Sequence, residues 1–564
     1  MPPSRRDARP ALLLLVIAAA AALLRLMRLG AKPLWLDEAM TILVSFGRGA
    51  ADVPIGRALS VASLRQIFSP AGGSSVVTVL ARLRDPLVQH THPPLFYVLL
   101  RGWLAIVRPD YASLAAAARL LPALLGVASV LVAYLVARAA TTDRGALIAA
   151  ALTALSPLMV MIAREARNYT LPLVCVGAAT WSVATIADAI ASRRPPPLST
   201  WIVFTVANIA GCYAHYFVIV SCAAEAAVIG WIASRARATG ALIALSVCAA
   251  AIAIAYAPWI PTFLVHSRSP EQAWMRESNP LVYVYDTLSA WQAIVQGWKF
   301  DIDSPQGAWK AIRIAIGVPI LAYVGYAVVR VLRGADATPA LRAVAATAAL
   351  TIVALLIACA FERKDLVGEY RYHFVYFPAL ATVVGAALDR RRAWFTAALL
   401  ALACIHSAFF VAGWEFPQLT RPTEVGGVLA RGTDAPALVA VGEMSFHETV
   451  TATTFVLAFD RAAPAAAAST TVVFVRRGDS YPTFQWRDVD PATFWSRLDG
   501  LAVDRVPPIA WVWSVSMLPG DYQRTFRLTA GDRLVACTID SRDLDRTIDD
   551  EDSPRGPFRR YRCL

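Results

Sequence analysis

The sequence predicts a polytopic α-helical membrane protein that carries a soluble α+β domain at its C-terminal end. Three observations carry this expectation. The chain of 564 residues is 57% hydrophobic, with a mean hydropathy of +0.52, above the balance of a soluble globule. Its apolar residues fall in runs of membrane-spanning length, separated by short basic loops. From Glu415 onward the runs shrink to strand length, as at 437–441, 471–475, 509–515 and 534–539, between turns rich in Pro, Gly and Asp.

Charge supports the same class. Lysines and arginines number 53 against 40 acids, a formal charge of +13. In a soluble protein that excess would raise nucleic acid as a partner. Here it lies in the loops between apolar runs, where it sets topology, and no nucleic-acid partner is expected. The first run, 11–24 with Leu26, Met27 and Leu29, follows Arg5, Arg6 and Arg9 and precedes Arg25 and Arg28. No small-x-small cleavage site follows it, so it reads as a retained anchor rather than a cleaved leader.

Stretch 31–92 is too polar and interrupted to span. Its helical patches, 40–46 and 55–68, are expected to lie on the membrane surface. Helix 96–107 decides the parity of everything after it. If it spanned, Arg138, Arg144, Arg193, Arg194, Arg235 and Arg237 would all face outward; lying in the outer interface, it returns them to the cytoplasm. The expected spans are then 11–28, 114–138, 145–163, 170–191, 199–212, 216–234, 241–258, 311–333, 341–360, 373–388 and 393–412. This odd set, about 11 helices, puts the N-terminus in the cytoplasm and the C-terminal domain in the periplasm or outside the cell. The organisation expected is a membrane module, 1–413, with outer-face loops 31–113 and 259–310, followed by a soluble α+β domain, 414–564. That domain shows no nucleotide loop, metal-ligand spacing or nucleophile elbow.

Polar groups at the span ends converge on the outer face. Asp37 and Glu38 emerge just past the first span, where Asp37 would also serve as a helix cap. With them come His90-Thr91-His92-Pro93-Pro94, Arg164-Glu165-Ala166-Arg167-Asn168-Tyr169, His215-Tyr216 and Arg371-Tyr372. A non-enzymatic lipid or polymer transporter or flippase is the rival class, and would place charge at mid-bilayer on broken helices. Glu225 is the main ionisable residue inside a span, and a hydrogen bond to a neighbouring helix accounts for it. A transferase at the outer face has no nucleotide sugar to draw on, so its donor must arrive through the membrane, as polyprenyl-phosphate sugars do. Departure of a phosphate needs no general acid, and one carboxylate to deprotonate the acceptor hydroxyl is enough. Arginine forks suit the phosphate.

In order, Trp35-Leu36-Asp37-Glu38-Ala39, His92-Pro93-Pro94-Leu95, the segment 119–122, 164–169, His215-Tyr216, and Arg371-Tyr372 with Pro378 resemble the bacterial GT-C glycosyltransferases. The similarity is to the family 39 type, related to protein mannosyltransferases and the aminoarabinose transferases of lipid A, and it covers residues 11–390. The resemblance implies a GT-C fold in the bacterial inner membrane and a polyprenyl-phosphate-linked sugar as donor. It implies a glycan, lipid or protein acceptor in the cell envelope. Asp37 would be the catalytic base, with Glu38 sharing the role or shaping the acceptor pocket. His92, Arg164, Glu165, Arg167, Tyr169, His215, Arg371 and Tyr372 would bind substrate, Arg371 on the phosphate side. His92 would equally mark a helix start beside its prolines, and His215 a turn histidine bonded to backbone. No cofactor is obligatory. Five histidines expected at the outer surface (His90, His92, His215, His266, His373) keep a divalent ion conceivable, although only His90 and His92 are spaced as a ligand pair.

Of eight cysteines, six lie in apolar spans as small core residues. Cys537 and Cys563 fall together in the outer, oxidising compartment, where a disulfide would pin the tail to a strand and contribute about 3 kcal/mol. Two unrelated thiols are the alternative.

Overall fold

The computed structural model describes residues 5–49, 52, 55–69, 75–85, 91–269, 275–296, 307–335, 337–413, 422–443, 446–476, 491–514, 522–540 and 558–564. The protein is a multi-span helical membrane module joined to a sheet domain. Eight of the described helices are long and apolar enough to cross a bilayer, or nine if the bent pair Asp143–Leu155 and Pro157–Ala163 is one span. Leu198–Ala214 and Phe377–Asp389 are apolar but shorter, and they occupy the two remaining positions where spans are expected. Side chains such as Leu15, Ile254 and Ile357 stay exposed on these helices, as contact with lipid tails requires. Helix Leu95–Val107 has 13 residues. At about 1.5 Å per residue it is about 20 Å long, short of a hydrocarbon core of about 30 Å.

Three boundaries differ from the expectation. The stretch 145–163 is bent by 56° between Leu155 and Pro157. Pro157 has no amide hydrogen, so the Thr153 carbonyl loses its helical donor. Arg25 of the first span replaces it, its Nη2 donating to Thr153 O and its Nη1 to Ala154 O, both at 2.8 Å, while Ser407 Oγ donates to Leu155 O at 2.7 Å. Gly126 leaves room for this: a Cβ there would lie 2.5 Å from Ala163 Cβ and 3.0 Å from Arg25 Nε. The bend turns the segment that follows, 164–169, toward the end of the module that carries Asp37.

The span expected from 373 instead begins as the helix Phe377–Asp389, after a 3-10 helix Tyr370–Val375 that carries Arg371. Pro378 at the start of the longer helix cannot donate backward. Within loop 259–310, two helices are described. Helix Ile260–Ser267 continues the preceding span, and Pro280–Gln296 packs inward through Tyr283, Ala290 and Ala293.

The helix bearing Asp37, Leu36–Ser45, starts before the expected patch 40–46 and is enclosed by protein: Leu36 and every residue from Glu38 to Ser45 are buried. Ala39, Met40, Ile42, Leu43 and Val44 make it apolar all round, and such a helix is stable only inside.

The soluble domain is built on one mixed sheet. Its strands are β1 (Leu59–Ser60), β2 (Ala437–Glu443), β3 (Thr470–Arg476), β4 (Leu501–Ala502), β5 (Ile509–Ser514), β6 (Thr525–Ala530), β7 (Arg533–Ile539) and β8 (Arg559–Cys563), in the order β1-β3-β2-β5-β8-β7-β6-β4. Alternation along β2, β3 and β5 sends Val439, Val441, Val472, Phe474, Trp511 and Trp513 to the face that shares a core with the membrane module. Leu438, Ala440, Val473, Val475, Ala510 and Val512 go to the other face, over Phe494 and Trp495. Strand β1 comes from the outer loop and pairs with β3, so the domain expected at 414–564 takes in a strand from residues 59–60. Arg65 ties the same loop to Asp460 of helix Phe446–Ala462. Cys537 of β7 and Cys563 of β8 stand opposite each other and are joined by a disulfide.

Candidate active site

Asp37 lies in the first turn of helix Leu36–Ser45, whose N-cap is Trp35. The positive end of a helix favours its carboxylate. Two buried guanidiniums reach Asp37 Oδ2: Arg371 Nη1 at 3.1 Å and Arg167 Nη2 at 3.5 Å. The first stands on the 3-10 helix before the span Phe377–Asp389 and the second on the segment after the bent span.

Both arginines have other anchors. Arg371 pairs with Glu369 at 3.2 Å and lies over the Trp35 and Tyr169 rings at 5.5 and 5.8 Å. Arg167 donates to Thr41 Oγ1 at 3.0 Å and to the Asp37 carbonyl at 3.3 Å, with His92 Nε2 at 3.3 Å and Tyr169 OH at 3.4 Å from its Nη2. A planar fork held on several sides presents its remaining N–H groups in a fixed direction.

Glu38 is placed differently from the expectation that it shares the base role. Its side chain is 1% exposed and Arg119, 4% exposed, holds it in a two-point ion pair, Nε to Oε1 at 2.7 Å and Nη2 to Oε2 at 2.6 Å. The backbone of Ala166 also donates to Oε1 at 2.9 Å, and Trp35 N to Oε2 at 3.4 Å. Arg119 spends its other N–H groups on the carbonyls of Leu29, Lys32 and Pro33. With its oxygens so engaged, Glu38 fixes the chain around Asp37 rather than facing an acceptor.

Arg164 also lies elsewhere. Its Nη1 donates to the carbonyls of Leu24, Arg25 and Met27 at 2.9, 3.2 and 2.6 Å, closing the C-terminal end of the first span. Glu165 is half-buried and its Oε2 makes no hydrogen bond among the described residues. Burial pushes its carboxyl up to about 7, with Glu38 and Asp37 acting in the same direction and Arg371 and Arg167 against it.

His92, Tyr169, His215 and Tyr372 form an aromatic wall beside the arginines. Ring centroids are 5.8 Å apart for His92 and His215, 5.7 Å for His215 and Tyr372, and 6.2 Å for Tyr169 and Tyr372. His215 Nδ1 accepts from Phe217 N at 3.2 Å. Burial, then Arg167 and Arg371, push the imidazole down to about 3, so it is neutral at physiological pH.

His266 and His373 serve packing. His266 bonds to Tyr216 OH and the Leu83 carbonyl, and His373 to Tyr376 OH and the Val367 carbonyl. His90 lies outside the described residues. Among the described residues no three His, Cys, Asp or Glu side chains gather as a metal site. Glu225 is hydrogen-bonded to Thr180 and Asn208 of the two preceding helices.

Asp37, Glu165, Arg167, Tyr169, His92, His215, Arg371 and Tyr372 thus come together at one end of the module. The sequence reading did not find the pairing of Arg119 with Glu38 or the brace from Glu369. An arginine inside an apolar span was the available signal, since such a charge needs an acid partner.

Residues 91–261 match the family model described as dolichyl-phosphate-mannose-protein mannosyltransferase. That segment holds His92, Arg119, Glu165, Arg167, Tyr169 and His215. Among solved structures, the chain is similar to ArnT from Cupriavidus metallidurans in the apo state, at 13% identity and a TM-score of 0.49, over 94% of this chain and 98% of that one. For the same protein bound to undecaprenyl phosphate the values are 12% and 0.49, over 93% and 97%. The arabinofuranosyltransferase AftD from Mycobacteria gives 16% and 0.45, over 99% of this chain and 40% of that one. No curated protein matches the chain by sequence.

Proposed function

We propose that the chain is a membrane glycosyltransferase of the GT-C type, and that it transfers a sugar from a polyprenyl-phosphate donor to a cell-envelope acceptor at the periplasmic face of the bacterial inner membrane; the family match over residues 91–261 supports this reading. The observation that carries this reading is Asp37 Oδ2 within reach of two buried arginines, Arg167 and Arg371. A carboxylate beside two fixed guanidinium forks matches a reaction in which an acceptor hydroxyl loses a proton while a phosphate gains charge as it leaves.

Asp37 takes the acceptor proton, the acceptor oxygen bonds to the anomeric carbon, and the bond from that carbon to the phosphate breaks. The electron pair leaves with the polyprenyl phosphate, whose growing charge Arg167 and Arg371 hold. Tyr169, Tyr372 and the neutral His215 flank the sugar. Glu165, with a carboxyl oxygen open to a partner, receives a sugar or acceptor hydroxyl. Purified protein in detergent, given labelled polyprenyl-phosphate sugar and envelope extract, is expected to move label onto an acceptor. Translocation of intact donor across liposomes with no transfer would instead make the chain a transporter.

Arg371→Ala and Arg167→Ala are expected to weaken donor binding. Each removes a charge-assisted contact to phosphate worth roughly 1.5 to 3 kcal/mol, and lysine at either position restores only part of it because the fork is lost. Equal affinity in both alanine variants and the wild type would place the phosphate elsewhere.

The side of the membrane has its own test. Ala191, Ser234 and Ser278 are all exposed. A cysteine at Ala191 or Ser234 is expected to be shielded from a membrane-impermeant thiol reagent in intact cells, whereas one at Ser278 reacts. Labelling of the first two from outside would mean that helix Leu95–Val107 crosses the bilayer.

A further inference from the structure

Asp37 occupies the guanidinium groups that a donor phosphate needs. A carboxylate paired with two arginines is a poor proton acceptor, because the positive charges favour its ionised form. The base and the phosphate seat therefore compete for the same two side chains. We propose that the donor phosphate displaces the Asp37 carboxylate from Arg167 and Arg371, so that loading the donor is the event that frees the base. This rests on the reading above, in which Asp37 is the base and the arginines hold the donor.

Three features of the site support the exchange. The arginines are held independently of the Asp37 side chain, Arg371 by Glu369 and the Trp35 and Tyr169 rings, Arg167 by Thr41 Oγ1 and the Asp37 main-chain carbonyl. When partners change, the arginines stay and the carboxylate moves. Next, both ion pairs run through the single oxygen Oδ2, at 3.1 and 3.5 Å. Both arginines converge on one carboxylate oxygen, and a phosphodiester with two free oxygens offers each arginine its own. Lastly, Arg167 Nε is buried and makes no hydrogen bond among the described residues, leaving a donor for an incoming oxygen.

The exchange also orders and resets the cycle. An acceptor bound alone keeps its proton, because Asp37 is still paired. After the donor binds, Asp37 accepts the acceptor proton as the new glycosidic bond forms and the bond to phosphate breaks. Once polyprenyl phosphate departs, the arginines recapture Asp37 and its proton passes to solvent.

The test is equilibrium binding of undecaprenyl phosphate to the full-length protein in detergent, for wild type, Asp37→Asn and Asp52→Asn. Removing the competitor is expected to make Asp37→Asn bind about tenfold tighter, the scale of one charge-assisted contact. Asp52→Asn removes a carboxylate that pairs with Arg48 and Arg82 outside the site, frees neither Arg167 nor Arg371, and its affinity should change less than about threefold. Asp37→Ser repeats the first measurement if the asparagine variant is unstable. Equal or weaker binding by the Asp37 variants, or an equal gain in Asp52→Asn, would overturn the exchange and leave the function intact. Folded wild type that binds no undecaprenyl phosphate would overturn both.

Discussion

Asp37→Asn is expected to lower sugar transfer by about 100- to 10,000-fold, the usual loss when a positioned general base is removed, in protein that stays folded and still binds donor. Asparagine keeps the volume, but it carries no charge to hold Arg371 and Arg167 and accepts no proton from the acceptor. The fold should tolerate the change, since Asp37 is only half-buried and the N-terminal turn is held through Glu38. Turnover of labelled donor, measured beside a thermal melt in the same detergent, separates chemistry from unfolding. Turnover near the wild-type rate would remove Asp37 from the mechanism.

Arg119→Ala is expected to destabilise the protein by about 3 to 5 kcal/mol, because breaking a buried pair leaves the partner's charge uncompensated. Here the partner is Glu38, 1% exposed, and three carbonyls lose their donor as well. The end of the first span, helix Leu36–Ser45 and segment 164–169 all meet at this pair, so activity should fall with stability. Replacing both partners with apolar residues of similar size, Arg119→Met with Glu38→Leu, should recover part of the loss, since it removes the orphaned charge. Thermal unfolding in detergent and protease sensitivity near residues 29–35 report the effect. An Arg119→Ala variant as stable as wild type would show that the pair is not what holds this end of the module together.

The two expectations differ in kind although the acids are neighbours in the chain. Asp37 and Glu38 point to different partners because successive helical residues are rotated by about 100°. One turns toward Arg167 and Arg371, the other into the protein toward Arg119. No property of the acidic dipeptide itself distinguishes them, and only the packing around the helix does.

The sequence by itself determined the class of the molecule, the helical runs, the change to strands after the last span and most of the residues that gather around Asp37. Those features are local. A run of apolar side chains dictates a span wherever its neighbours lie, alternation dictates a strand face, and the order of motifs survives without knowledge of contacts. The tertiary structure decided the rest. It enclosed helix Leu36–Ser45, because an apolar helix is stable only when other elements cover it, and here helices Leu95–Val107 and Phe446–Ala462 do. It bent the span at Pro157 and supplied Arg25 from another helix to satisfy the freed carbonyls. It drew residues 59–60 into the sheet of the soluble domain, and gave Arg164 to the end of the first span rather than to the site. In each case an orphaned carbonyl, charge or apolar face found its partner many residues away, and such partners are set by which surfaces meet in three dimensions.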